Sequence, residues 1–70
     1  MRDINRIYPI MNELTTIWTT YCPDWRFGQL ISNFKRYIKF QHNIEDIFYI
    51  EDDKILEYIK EFKENTFKCN

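Results

Sequence analysis

The stretch Thr-Thr-Tyr-Cys-Pro-Asp-Trp-Arg-Phe, residues 19–27, decides the fold. Pro23 cannot continue a helix and Asp24 can cap a new one, so one helix ends before this point and another begins after it. Upstream, Ile4, Ile7, Met11, Leu14, Trp18 and Tyr21 recur at steps of three and four, with Ile10 and Ile17 widening the stripe. That is a helical period. Asp3 suits the N-cap. Pro9 either lies in the first turn or marks a kink after a short N-terminal turn, because a helix interior tolerates Pro badly. The β-branched threonines of TTIWTT weaken the helix locally, but the period continues through them.

Downstream of the break, Phe27, Leu30, Ile31, Phe34 and Ile38 repeat the spacing, with Arg26, Gln29, Asn33, Arg36 and Lys39 on the opposite, solvated side. Residues 39–47, KFQHNIEDI, carry no clean period and read as a loop. Phe48-Tyr49-Ile50 is β-prone but too short for a sheet, and is expected to be an extended segment leading into the last helix. Glu51, Asp52 and Asp53 open that helix where its dipole favours carboxylates, and Lys60 and Lys63 fall toward its end. Ile55, Leu56, Ile59 and Phe62 form its apolar stripe. The tail, 65–70, is expected to fray. The sum is an all-α chain, one compact three-helix domain over residues 1–70 with a short extended segment before the last helix.

Composition agrees with that size. Seventy residues make one domain, which buries only about 60% of the surface its unfolded chain exposes. The chain is 44% apolar, thirteen residues are aromatic, and there are only one Gly and two Pro, which excludes a disordered or fibrous protein. No apolar run approaches the length of a membrane span, and MRDINRIYPI lacks the apolar block of a signal peptide. Cys22 and Cys69 lack CxxC spacing. The expectation is a cytoplasmic protein with free thiols. Ala and Val are absent while Ile occurs eleven times, so the core is built of large side chains. Against that background Gly28 reads as a glycine required by a close helix–helix contact beneath Trp18, with a ligand pressed against its backbone as the alternative. On the first reading Gly28→Ala overpacks and destabilises.

The net charge of −1 hides an asymmetry: residues 1–41 hold six basic and three acidic side chains, residues 42–70 four basic and eight acidic. Either the halves attract each other within the fold, or the surface is dipolar and selects partners. Little here supports catalysis. The single histidine, His42, has no nucleophile or metal set to work with, and reads as an exposed loop residue. Glu51, Asp52 and Asp53 do not have the spacing of a calcium loop and read as helix N-terminal carboxylates. No enzyme activity, cofactor or metal is expected.

Binding is better supported. Trp, Tyr and Arg dominate interaction hot spots. Trp25 and Arg26 follow the Pro-Asp turn and sit off the core stripe, so Trp25, Arg26, Tyr37 and Tyr49 are the candidates for an exposed aromatic–cationic patch. The acidic residues Glu51, Asp52 and Asp53 are expected beside it. Three functions follow. The first is a non-enzymatic interaction protein that binds and modulates a partner protein. The second is an oligomer that sequesters an anionic small molecule such as a nucleotide. The third is a helix-turn-helix-like DNA binder presenting Arg26, Gln29, Asn33 and Arg36 to base edges. A net acidic domain is a poor general nucleic-acid binder, which places the third last.

PDWRFGQLI (23–31) and DIFYIEDDKILEYI (46–59), with the opening RDINRI and Trp18, resemble a group of short bacterial and bacteriophage proteins that share a Pro-Asp-x-Arg-Phe-Gly-Gln-Leu block followed by a Phe-Tyr-x-Glu-Asp stretch. The resemblance covers most of residues 2–60. It implies a small helical, cytoplasmic protein, often phage-encoded; a phage inhibitor or adapter docking on a host protein is one form of the first function. The resemblance carries over no catalytic residue.

Overall fold

Asp3 starts the fold: its side chain accepts the Asn5 amide at 3.0 Å and opens a single 3-10 turn, Ile4–Arg6. The computed structural model describes residues 2–67. The turn runs directly into α1, Ile7–Thr20, which places Pro9 in the first turn, where an amide lacks an intrahelical acceptor in any case. The Thr19 hydroxyl donates to the Thr15 carbonyl at 2.8 Å, so the threonine-rich stretch stays within the helix. α1 closes at Tyr21. The Trp25 amide then bonds the Cys22 carbonyl, and the Trp18 indole N–H donates to the Trp25 carbonyl at 2.8 Å, pinning the turn from inside.

α2 spans Phe27–His42. Its first turn is satisfied by Gln29, whose side-chain oxygen accepts the Arg26 amide at 2.7 Å; Asp24 is not the cap that its position suggests. Asn43 ends α2 with φ 56°, a left-handed conformation that Asn tolerates. Asp46 caps a second 3-10 turn, Ile47–Tyr49, and α3 spans Asp52–Thr66.

Ion pairs and ring contacts give the directions of the helices. Arg6 meets Asp52, Glu13 meets Lys63 and Tyr21 stacks on Phe67, so α1 and α3 run parallel. His42 meets Glu61 while Tyr37 meets Asn65, so α2 runs antiparallel to α3. Both α1 and α2 pack on α3. The core is Ile17, Cys22, Leu30, Phe34, Ile38, Ile59 and Phe62. Phe62 is its centre: Phe34 and Tyr37 meet it edge-on, each at 5.5 Å between centroids, and Phe67 approaches at 5.8 Å.

The three-helix expectation holds, and several details change. Lys39–His42 is the last turn of α2 rather than loop, because Asn43 supplies a left-handed stop five residues after Ile38, where the apolar pattern ends. Phe48 and Tyr49 form a 3-10 turn rather than an extended segment, because the Asp46 carboxylate accepts the Phe48 amide at 3.0 Å; the extended entry to the last helix is Ile50 and Glu51. Residues 65–67 do not fray: α3 continues to Thr66, and Phe67 is held by Tyr21, Trp25 and Phe62. The rest of the expected tail, including Cys69, lies outside the described residues. Ile4, Ile7, Met11 and Phe27, assigned to core stripes by spacing, are exposed.

Gly28 is corrected most sharply. A Cβ built there meets nothing within 4 Å, so no helix presses on it. Gly28→Ala should therefore stabilise the fold by about 0.5–1 kcal/mol through helix propensity, read as a higher Tm. Phe62→Ala should remove about 3–5 kcal/mol, enough to leave a domain of this size largely unfolded by circular dichroism at 37 °C.

Candidate functional site

The residues expected to share one patch are distributed over the whole molecule. Trp25 is half-buried against Phe67 near the end of α3, at 5.7 Å between ring centroids. Arg26 is exposed beside it. Tyr37 faces α3 instead, over Phe62, with its hydroxyl accepting a bond from the Asn65 side chain at 2.7 Å. Burial pushes its phenol pKa up. Tyr49 is 80% exposed at the other end of the bundle. Glu51 and Asp52 are engaged by Arg2 and Arg6, and the Asp53 carboxylate accepts the Lys54 amide. The fifteen residues of α3 put roughly 22 Å of helix between the two groups. The acidic cluster and Tyr49 therefore do not belong beside Trp25 and Arg26.

What the fold does bring together lies along the outward side of α2. Trp25, Gly28, Gln29, Ser32, Asn33 and Arg36 line an open cleft of about 470 Å³. Trp25 forms its aromatic end and Gly28 leaves its floor free of side chain. Gln29, Asn33, Arg36 and Phe40 follow steps of four, three and four along the helix, which is one row. Phe40 is 81% exposed. The row has Trp25 at one end, Phe40 at the other and an arginine between them.

The electrostatics of this face are one-sided. No residue of α2 is acidic. Arg2, Arg6, Lys39, Lys54 and Lys63 each approach a carboxylate within 4 Å. Among the described residues Arg26, Lys35 and Arg36 have no such partner, and nor does Lys60 on α3. Three of these four cations thus sit on or beside α2, with only Asp24 close to them in sequence. Arg26 is tied neither to Asp24 nor to the acidic start of α3.

Sequence reasoning missed two residues here. Phe40 was assigned to a loop; the row spacing from Gln29 would have placed it once the helix was carried past Lys39. His42 is not an exposed loop residue. It closes α2 half-buried, with Nε2 at 2.6 Å from a Glu61 carboxylate oxygen and its ring 4.2 Å from that of Tyr58. Its partner lies nineteen residues away, which no local pattern announces. Among the described residues no three His, Cys, Asp or Glu side chains gather as metal ligands would. Cys22 is a buried free thiol whose pKa burial pushes up, so it is a packing residue rather than a nucleophile.

The His42 hydrogen bond holds the Glu61 carboxyl below the usual carboxylate range, against an opposing effect of burial. A depressed carboxylate contributes stability at pH values above its unfolded pKa and loses it as pH falls through the folded one. His42→Ala should cost about 1 kcal/mol at pH 6, and the difference from wild type should narrow at pH 3; carboxyl-carbon NMR should show Glu61 titrating at higher pH in the variant.

Compared with known proteins, the chain matches no family model, no curated protein and no solved structure.

Proposed function

We propose that this is a small non-enzymatic interaction protein whose outward α2 face docks on an acidic surface of a partner protein. The observation that supports this reading is the carboxylate-free helix with Arg26, Lys35 and Arg36 unpaired among the described residues. Charges that serve the fold are paired within it, and these are not. Aromatic and arginine side chains anchor interfaces by filling pockets and desolvating ion pairs, and the row from Trp25 through Arg36 to Phe40 offers both chemistries. The resemblance of the 23–31 and 46–59 blocks supports a phage-encoded protein of the host cytoplasm, and an inhibitor of a host protein is the form of this proposal that fits such a source.

The nucleotide-sequestering alternative loses support, because Tyr37 packs on Phe62 with its hydroxyl held by Asn65 and is not presented to a ligand. The DNA alternative keeps one specific observation: Gln29, Asn33 and Arg36 do share one cleft on α2, with Arg26 immediately before the helix. Phe40 at the end of the row and the few flanking cations fit a protein surface better than a phosphate backbone.

Immobilised wild-type protein and the variants Arg36→Glu and Phe40→Ala, each verified as folded, should be presented to host lysate and the retained proteins identified. The reading expects a partner with an acidic docking surface whose affinity falls at least tenfold in each variant and weakens as salt rises. Equal retention by Arg36→Glu sinks it. Duplex DNA binding with a steep salt dependence that Arg36→Glu abolishes would favour the third reading instead.

A further inference from the structure

The opposite end of the bundle carries a second surface that the α2 face does not use. Phe48 and Tyr49 are each 80% exposed and meet edge to face at 4.9 Å between centroids. They are not on a loose loop. The Asp46 carboxylate caps their turn, the Ile50 amide closes it on the Ile47 carbonyl, and Ile47 and Ile50 on either side pack on the core. The turn therefore holds two aromatic rings out in water while its aliphatic neighbours point in. At the same end the N-terminal 3-10 turn and the first turns of α1 expose Ile4, Ile7, Tyr8 and Met11, a stripe with spacing of three, one and three residues. Arg2 bound to Glu51 and Arg6 bound to Asp52 hold this segment beside the start of α3.

Two features say what covers this end. The first is area. A buried aromatic side chain covers about 150–250 Å², so Phe48, Tyr49 and Tyr8 at their observed exposures leave on the order of 400 Å² of aromatic surface in water. The aliphatic chains of Ile4, Ile7 and Met11 add to it. That reaches the largest patches monomers carry, about 300–600 Å², and approaches the roughly 800 Å² per partner of a standard interface. The second is charge. The cations around this end are already neutralised within the chain, Arg2 by Glu51, Arg6 by Asp52, Lys39 by Glu45 and Lys54 by Glu57. The carboxylates of Asp3 and Asp46 accept backbone amides. A hydrogen bond from an amide does not cancel a carboxylate's charge, so Asp3, Asp46 and Asp53 leave the rim net acidic; an anionic lipid surface is repelled, and two copies pair more tightly as salt screens the rim.

We propose that this end is the interface of a homodimer, formed by Phe48 and Tyr49 of one copy against the same residues and the Ile4–Met11 stripe of the other. A two-fold pairing is self-complementary and closes, so it uses the patch without building filaments. The area, short of a standard interface, sets it among weak and reversible dimers. The α2 face stays free in both copies, so the dimer does not depend on the proposed partner.

Sedimentation equilibrium and light scattering from about 5 μM to 1 mM test it. The weight-average mass should rise from 8.8 kDa toward twice that value. Phe48→Ser with Tyr49→Ser should hold the mass at the monomer across the range, with an unchanged helical spectrum, since both rings are already in water. Arg36→Glu should leave dimerisation untouched, which separates this proposal from the function assigned to α2. A monomer at every concentration overturns the proposal, as does a dimer that survives in the double variant. So does a monomer that co-sediments with phosphatidylcholine vesicles through the same two rings, which would assign the patch to a lipid surface.

Discussion

The ring of Phe62 is the constraint on which the other contacts depend. It is 2% exposed and lies where α2 and the end of α3 converge. Phe34 and Tyr37 hold α2 to it, and Phe67 extends it to Tyr21 and Trp25, where α1 ends and α2 is about to begin. A chain without Ala or Val has few small side chains to place between its helices, and apart from Cys22 its buried core is Ile, Leu and Phe. It fills the wider gaps between helices with rings meeting edge to face, a geometry in which each ring's positive rim faces its neighbour's negative face. The exposed glycine agrees with this construction. These helices are spaced by side chains, so a position without a Cβ has no neighbour to admit.

The charge asymmetry between the halves of the sequence becomes an asymmetry between sides of the molecule, because α1 and α2 fall in the basic half and α3 in the acidic one. Part of it is spent inside the fold. Arg2 and Arg6 neutralise carboxylates that already favour the α3 N-terminus, Lys63 reaches back to Glu13 on α1, and His42 clasps Glu61. Each tie joins α3 to an element that packs on it, so these pairs fix register more than they add stability. Of the four cations left without a carboxylate among the described residues, Arg26, Lys35 and Arg36 lie on or beside α2. The attraction between halves and a face of unpaired cations are therefore both present, on different residues.

Helix number, order and the break at Pro23 were legible because period and proline act locally. The errors have a common physical source. Apolar period marks which side of a helix is able to be buried, and burial itself depends on whether another helix arrives there. Ile7 and Met11 continue the stripe of Leu14 and Trp18, yet α3 takes the flank that carries Arg6, Ile10 and Glu13 and leaves them in water. Phe67 shows the converse: one aromatic in a polar tail, with no period around it, closes the end of the core. The grouping of Trp25 with Tyr49 failed for the same reason. Their separation is set by the antiparallel course of α2, which residue type does not encode.

The two surfaces differ in how the fold treats them, and that difference bears on their use together. The α2 face is built on a helix whose inner side is locked by Leu30, Phe34 and Ile38, so its row of side chains is rigidly spaced. The Phe48–Tyr49 turn is rigid for another reason, a carboxylate cap and two half-buried isoleucines packed on the core. Both are thus preorganised, and neither has to order a loop on binding, a step that costs affinity. A dimer joined through the turn carries two copies of the α2 face at a fixed separation. A partner with a single acidic site gains nothing from that arrangement. A partner that is itself two-fold or repeated gains the effective concentration of the second face, which can exceed the single-site affinity by orders of magnitude without a new contact. If dimerisation is as weak as its area implies, the gain appears only where the partner assembles the two copies, and an oligomeric target is the kind this geometry discriminates best.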